Sequence, residues 1–304
     1  MRILHVNNQA SVAYMISRAQ RKLGHESDLL AVPAASRMPP DFPEPTVKKL
    51  FLRLIKLLPK YDLIHVHGGI GISGIGLSPF RAAGKRFFVH YHGSELREGI
   101  QTSFHPLAER IFVSTPDLLR YGGNLGGREL IHIPNPVSTE GAAKVDWKQR
   151  IDRISGSGPV VISHLPSIRS VKGTENVIRG VGKANSRGAE YELRIIEGRS
   201  VEEAMKELSE SDICIDWMSP DYDIHGVVSV EAMIRGIPVI CNIDRKMYPE
   251  DLPIIISKPE DLPDVLTDVW KRRAELPSIG SMSVDYAMRT HHPDRVAGMI
   301  EEYL

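Results

Sequence analysis

Apolar positions along this chain recur with two periods, and the way those periods take turns predicts its architecture. Short, β-branched, buried runs at residues 1–6, 27–32, 62–66, 111–114 and 130–133 read as strands, and 160–164, 191–197, 212–216, 238–241 and 253–257 repeat the pattern later in the chain. Between them, 12–23, 46–58, 116–121, 174–185, 200–209 and 259–273 place apolar residues three and four apart, which predicts helices with one buried face. Gly24 closes the first helix, and Ser200 with Glu203 offers a capping box for another. Strands that alternate with helices form parallel sheets covered on both faces. Two stretches break the rhythm: 33–45 holds five prolines and reads as a loop, and 141–158, polar and glycine-bearing, reads as a linker. Further helices are expected at 284–289 and 293–303. The expected fold class is α/β, two Rossmann-like doubly wound domains, 1–140 and 141–284, with a C-terminal segment 285–304 packing back across them.

A chain of 304 residues is long enough for two such domains. Lys and Arg together number 38, as do Asp and Glu, and the absent net charge argues against nucleic acid as a partner. Cys214 and Cys241 each sit in an apolar strand-like run, which suits inert thiols in a reducing cytoplasm. No signal peptide is evident, and no apolar stretch reaches the roughly 20 residues that span a bilayer, so any membrane contact would be peripheral, at its inner face. Segment 46–58 is the candidate for it. Val47, Leu50, Phe51, Leu54, Leu57 and Leu58 share one face, and Lys48, Lys49, Arg53 and Lys56 the other. Such a helix can lie on anionic lipid, though packing against the sheet is the favoured reading.

Three patterns carry chemistry. In 221–241 a loop leads to a helix at 226–235, opened by Gly226, and then to a buried strand. The amides of Val227, Val228 and Ser229 would form a partly positive end suited to phosphate, and Glu231, one turn in, leans back toward it. Asp223 lies on the incoming loop. Carboxylates for hydroxyls beside amides for a phosphate suit a nucleotide sugar. The second pattern, Gly69, Gly71 and Gly74, matches the dinucleotide fingerprint G-x-G-x-x-G after a strand, an alternative pointing to an NAD(P)-dependent oxidoreductase. It is not the chain's first strand-helix-strand unit, and Glu95 falls beyond the usual spacing for the ribose acid. The third, His65-x-His67 and His90-x-His92, could gather zinc with Glu95 nearby, a reading given less weight than a loop that meets a ligand.

The wording of these segments is specific. Asp223, Gly226, Glu231-Ala232-Met233 and Gly236-Ile237-Pro238-Val239 resemble the signature of the retaining glycosyltransferases of the GT-B fold, family 4, with Asp where Glu is usual. His164-x-Pro-Ser-x-Arg169-x-x-Lys172-Gly173-Thr174 resembles the donor-diphosphate loop of a subgroup of them, and His92-Gly-Ser94-Glu95-x-Arg97 their N-terminal loop facing donor sugar and acceptor. The resemblance implies two domains facing a central cleft and transfer of a hexose-type sugar from a nucleoside diphosphate to an acceptor hydroxyl, with retention. No bound metal or further cofactor is implied; the nucleotide sugar is a co-substrate, and the acceptor is a carbohydrate or a lipid-linked molecule. Arg169, Lys172 and Gly173 would hold the diphosphate, Glu197 would stand at the base, Glu231 at the ribose, and His92 and Asp223 near the sugar. Ser94, Glu95 and Arg97 would meet the acceptor. Relatives often carry paired glycines in the loop corresponding to 7–11; this chain has none. A catalytically silent protein on the same scaffold is the further alternative.

Overall fold

The structure, a computed structural model, describes residues 1–33, 38–70, 77–125 and 127–304, apart from the side chains of Ser94, Asn124, Ala143 and Lys144. The chain divides into two compact units, Met1–Val137 with His291–Leu304, and Ser138–Thr290.

The first unit is built on strands β1 (Arg2–Val6), β2 (Glu26–Ala31), β3 (Phe42–Pro43), β4 (Leu63–His67), β5 (Arg86–Tyr91), β6 (Arg110–Val113) and β7 (Leu130–His132). They form one sheet in the order β3-β2-β1-β4-β5-β6-β7, with every pair parallel. Helices α1 (Val12–Lys22), α2 (Val47–Leu57), α3 (Ser78–Ala82) and α4 (Ser94–Arg97) lie in the connections. Because strand side chains alternate between faces, Leu4, Val6, Ile64, Val66, Val89 and Tyr91 pack with Leu50, Phe51 and Leu54 of α2 in one core. Ile3, Leu63, Phe88 and Phe112 face the other way, onto Val12 and Ile16 of α1 and onto Val296 and Ile300 near the C-terminus. Further along that second face the strands change character: His5, His65, His67 and His90 follow, all fully buried.

The second unit contains β8 (Val160–His164), β9 (Tyr191–Ile195), β10 (Ile213–Ile215), β11 (Val239–Cys241) and β12 (Ile254–Ile256), ordered β12-β11-β10-β8-β9 and again parallel. Its helices are α5 (Trp147–Ser155), α6 (Arg169–Lys172), α7 (Thr174–Ser186), α8 (Val201–Ser209), α9 (Val227–Met233), α10 (Leu262–Lys271) and α11 (Leu276–His291). The capping box expected at Ser200 and Glu203 is present, and both cysteines are buried free thiols. Helix α12 (Pro293–Glu301) belongs to the first unit, where it packs on α1.

The fold class is the expected one, while three local expectations change. The 141–158 linker contains α5, begun by an Asp146 side chain that accepts from the Gln149 amide and anchored by Ile154. Its polar surface hid a single apolar stripe. The proline-rich loop contributes the two-residue edge strand β3, a position proline tolerates. The α11 helix is longer than expected and contains Gly280, which is glycine for space: a Cβ would lie 2.3 Å from the Gly236 carbonyl oxygen.

No helix among the described residues is long and apolar enough to cross a membrane. Leu50, Phe51, Leu54 and Leu57 of the apolar face of α2 are buried in the core, while Val47 of that face and Lys48, Lys49, Arg53 and Lys56 are exposed. Leu54→Ala is therefore expected to cost about 2–5 kcal/mol in urea unfolding, and Lys49→Glu less than about 0.5 kcal/mol. An unchanged midpoint for Leu54→Ala would place that face outside the core.

Candidate functional site

In open parallel sheets, ligands meet the carboxyl ends of the strands where the strand order reverses. In the second unit that point lies between β8 and β10, and the sequence brings its cationic loop there. His164, the last residue of β8, joins the neighbouring elements: Nδ1 contacts the Ile215 carbonyl at 2.7 Å and Nε2 the Thr174 hydroxyl at 3.0 Å. The chain then makes the single turn of α6 and enters α7 through Gly173, whose φ is +71°. A Cβ at Gly173 would stand 2.2 Å from the Met218 carbonyl oxygen, so both the conformation and the close backbone approach require glycine. The Met218 amide donates to the Lys172 carbonyl at 3.0 Å, clamping this turn to the loop after β10.

Lys172 consequently points inward. Its side chain is 7% exposed, and Nζ lies 2.5 Å from Oδ1 of Asp216, which is 1% exposed, and 4.1 Å from the Trp217 ring centroid. The other oxygen of Asp216 accepts from the Gly226 amide at 3.0 Å and the Ser229 hydroxyl at 2.6 Å, which ties the start of α9 to the same carboxylate. Burial pushes the Asp216 carboxyl up, but the Lys172 charge and the bonds from Lys172, Ser229 and Gly226 outweigh it and hold the carboxyl below its ordinary value. Gly226 has ordinary extended backbone; it is glycine for space. A Cβ there would meet Trp217 Nε1 at 2.9 Å, Asp216 Oδ2 at 3.2 Å and Lys172 Nζ at 3.3 Å.

The predicted donor residues thus divide. Lys172, Gly173 and Gly226 meet at one junction with Asp216, whose role the sequence did not reveal. Arg169, three residues from Lys172 on the same short helix, turns outward to Glu197 after β9, with Nη2 to Oε2 at 2.6 Å and the pair 52% and 35% exposed. That hydrogen bond and the guanidinium charge hold the Glu197 carboxyl below its usual value. Val227 and Val228 open α9 and are partly exposed. The helix runs for only seven residues, and its first anionic partner is the protein's own Asp216. Glu231 is partly buried one turn on, its backbone carbonyl accepting from Arg235. Asp223 is partly buried, and its backbone carbonyl accepts from the Asp244 amide at 3.2 Å.

In the first unit His92, Glu95 and Arg97, expected to face sugar and acceptor, have partners within that unit. Both ring nitrogens of His92 have protein partners: Nε2 meets His67 Nδ1 at 3.1 Å, and Nδ1 meets Ser114 Oγ at 2.8 Å and Asn135 Oδ1 at 3.2 Å. Glu95, 5% exposed, accepts from the His92 amide. Arg97 forks onto Asp117 at 2.8 and 3.0 Å and reaches Thr115 at 3.1 Å, with Arg97 and Asp117 each 10% exposed. These contacts shape the loop. Ser94 belongs to α4, and its side chain lies outside the described residues. In the glycine fingerprint, Gly71 and Gly74 lie outside the described residues. Gly69 is explained by packing, since a Cβ would sit 3.1 Å from Glu95 Cβ and 3.2 Å from Ile100 Cγ2. The glycine-free 7–11 loop still adopts glycine-like backbone, with positive φ at Asn7, Ala10 and Ser11.

No family model and no curated protein matches this chain. Solved structures do. HepE from Anabaena, in complex with UDP-glucose, aligns at a TM-score of 0.68 and 13% identity over 100% of this chain and 99% of its own. The catalytic domain of starch synthase IV from Arabidopsis thaliana, bound to ADP and acarbose, aligns at 0.69 and 11% over 99% and 98%. The chain has the GT-B fold. At such identity the likeness shows architecture alone: UDP-GlcNAc 2-epimerase from Methanocaldococcus jannaschii also aligns, at 0.58 and 12% over 100% and 99%.

Asp216→Asn leaves Lys172 a buried, unpaired cation, so a loss of about 3–5 kcal/mol is expected at neutral pH. The folded carboxyl lies below its unfolded value of about 3.9, so its stabilisation is complete above that value and disappears as pH falls through the folded one. Urea titrations of the two proteins should therefore converge in acid. A difference that persists unchanged would remove Asp216 from the centre of this junction.

Proposed function

We propose that this chain is a retaining glycosyltransferase of the family 4 type, which moves a hexose-type sugar from a nucleoside-diphosphate donor to an acceptor hydroxyl. The observation that carries the reading is the buried Lys172 held by Asp216 against the opening of α9, at the strand-order reversal of the second unit. An ammonium group has three donors. One is directed to Asp216, and the others are available to a diphosphate seated over Gly173 and Gly226. UDP-glucose in HepE and ADP in starch synthase IV support a nucleotide donor on this architecture.

In this reading Arg169 leaves Glu197 for the diphosphate at little expense, because exposed ion pairs contribute only about 0–1 kcal/mol. Glu197 is then released at the edge where the base would rest. The amides of Val227 and Val228 add a weaker dipolar contribution, Glu231 receives ribose hydroxyls, and Asp223 approaches the sugar. Stabilising the departing diphosphate is the principal task, since the transition state resembles an oxocarbenium ion with charge developing on the leaving group. The transfer as proposed uses no cofactor beyond the donor. For a lipid-linked acceptor at the inner membrane face, the exposed Lys48, Lys49 and Lys56 of α2 supply electrostatic attraction without insertion.

Calorimetry with a panel of nucleoside diphosphates and their sugars, followed by anomeric analysis of products, tests the reading. Donor binding with no turnover or donor hydrolysis would instead identify a silent scaffold. Binding of NAD alone would revive the oxidoreductase alternative. Arg169→Ala and Lys172→Ala should each weaken a nucleoside diphosphate by roughly ten- to a hundredfold, the equivalent of a charge-assisted bond, and leave the parent nucleoside nearly unaffected. Equal loss for both ligands contradicts the assigned diphosphate role.

A further inference from the structure

The imidazoles on the inner face of the first unit form a connected chain whose protons can be counted. His5 Nε2 meets Gln20 Oε1 at 2.8 Å, and that oxygen also accepts from Ser27 at 3.0 Å. His5 Nδ1 meets His67 Nε2 at 2.9 Å, and His67 Nδ1 meets His92 Nε2 at 3.1 Å. His92 Nδ1 ends the chain on Asn135 Oδ1 and Ser114 Oγ. Both ends are amide oxygens, which can only accept. His5 therefore carries its hydrogen on Nε2 and His92 on Nδ1, so the nitrogens they turn toward His67 are both lone pairs. A neutral His67 has a single N–H and can satisfy only one of them. When it donates to His5, the lone pairs of His67 Nδ1 and His92 Nε2 face each other across 3.1 Å.

A third imidazole stands beside that contact, its ring centroid 5.5 Å from that of His67 and 4.6 Å from that of His92. His90 is fully buried; its Nε2 reaches Ser114 Oγ at 3.1 Å, while Nδ1 has no hydrogen-bond partner among the described residues. The Ile133 carbonyl is close to the ring without reaching that nitrogen in hydrogen-bond geometry. One nitrogen each from His67, His90 and His92 lies within 4.8 Å of the others. The three rings come from the carboxyl ends of neighbouring strands β4 and β5, His67 paired with His90 in the sheet register and His92 just beyond.

We propose that His67, His90 and His92 bind one d-block cation of the zinc class. Three imidazoles with one nitrogen each within 4.8 Å of the others offer the donor set such an ion takes, with Zn–N bonds of about 2.0–2.1 Å and a fourth position open. Each ring also has its far nitrogen tied, to His5, Ser114 or Asn135, the outer support that orients metal-binding histidines. The buried Glu95 carboxylate, on the His92 amide, supplies negative charge nearby. His92 is the partly exposed member and marks the route of entry. The alternative grouping of His5, His65 and His67 is less supported, because both nitrogens of His65 lack a tethering partner among the described residues. The site belongs to the first unit, whereas the diphosphate junction proposed above belongs to the second.

The experiment is metal analysis of tag-free protein, then Zn²⁺ and Co²⁺ titration of chelator-dialysed protein. About one ion per chain is expected, with the visible absorption of Co²⁺ bound by nitrogen ligands. His90→Phe should weaken Zn²⁺ binding more than about tenfold and Ser114→Ala by about 10–100-fold, while His65→Phe leaves it unchanged, circular dichroism confirming the fold of each variant. If His90→Phe does not fold, the wild-type cobalt spectrum and Ser114→Ala decide. No bound ion, no cobalt absorption and nitrogen-15 shifts showing a chain closed by protons, through a turned Gln20 amide or an imidazolium, would overturn the proposal. Loss of binding in His65→Phe but not His90→Phe would do so as well.

Discussion

The second unit depends on one buried carboxylate. Asp216 directly follows β10 and gathers Lys172 from the turn before α7, the Gly226 amide from the opening of α9, and the Ser229 hydroxyl from within it. Three segments are held together through five atoms: the two carboxylate oxygens, the Lys172 ammonium nitrogen, the Gly226 amide nitrogen and the Ser229 hydroxyl oxygen. Neither charge could remain buried alone, since an unpaired buried ion costs several kcal/mol, so the pair holds together as a unit or fails as one. This makes the junction rigid. It also reduces its electrostatic reach, because the lysine charge is largely balanced before any ligand arrives.

That balance alters how a diphosphate would be held. Seen from the sequence, Arg169 and Lys172 are two equivalent cations. In the structure one is a fixed, inward anchor and the other an exposed arm paired with Glu197. Preorganised donors stabilise developing charge most effectively when they need not move, which suits Lys172. An exposed guanidinium in a weak pair is instead a group that follows its ligand. Two basic residues three positions apart thus differ because the Gly173 turn, pinned against the Met218 backbone, directs one side chain inward.

Alternation of apolar periods was sufficient for nearly every strand and helix, because burial on both faces leaves parallel strands with little freedom of pattern. It failed where burial is one-sided. Helix α5 keeps only Arg150 and Ile154 buried, and so resembled a linker. Family wording located Lys172, Gly173 and Gly226 but could not show what the glycines accommodate, since neither a Met218 carbonyl nor an indole nitrogen across the turn is visible in a motif. Asp216 was ambiguous for the same reason: a strand-final aspartate can face solvent, ligand or lysine, and only the register decides. For His92 the sequence pointed to a loop but could not show what supports it: its imidazole has His67, Ser114 and Asn135 as neighbours inside the unit.

The loop after β1 shows why a missing motif is not a missing geometry. Glycines make left-handed backbone inexpensive, yet Asn7, Ala10 and Ser11 adopt it here with side chains attached. Asn7 is held by its amide on the His67 carbonyl at 2.8 Å, and Asn8 accepts the Tyr14 amide at 3.1 Å. Such conformations cost about 1–3 kcal/mol each for ordinary residues and persist only when their surroundings enforce them. In this unit the strand order reverses beside β1 and β4, where His5 and His65 pair in register. Each unit therefore has a buried polar network at the reversal of its own sheet. One is built on the Lys172–Asp216 ion pair and the other on imidazoles, and Asn7 of the strained loop bonds to the second. Diverging connections at a reversal leave room for polar groups beside the apolar core that stabilises each sheet.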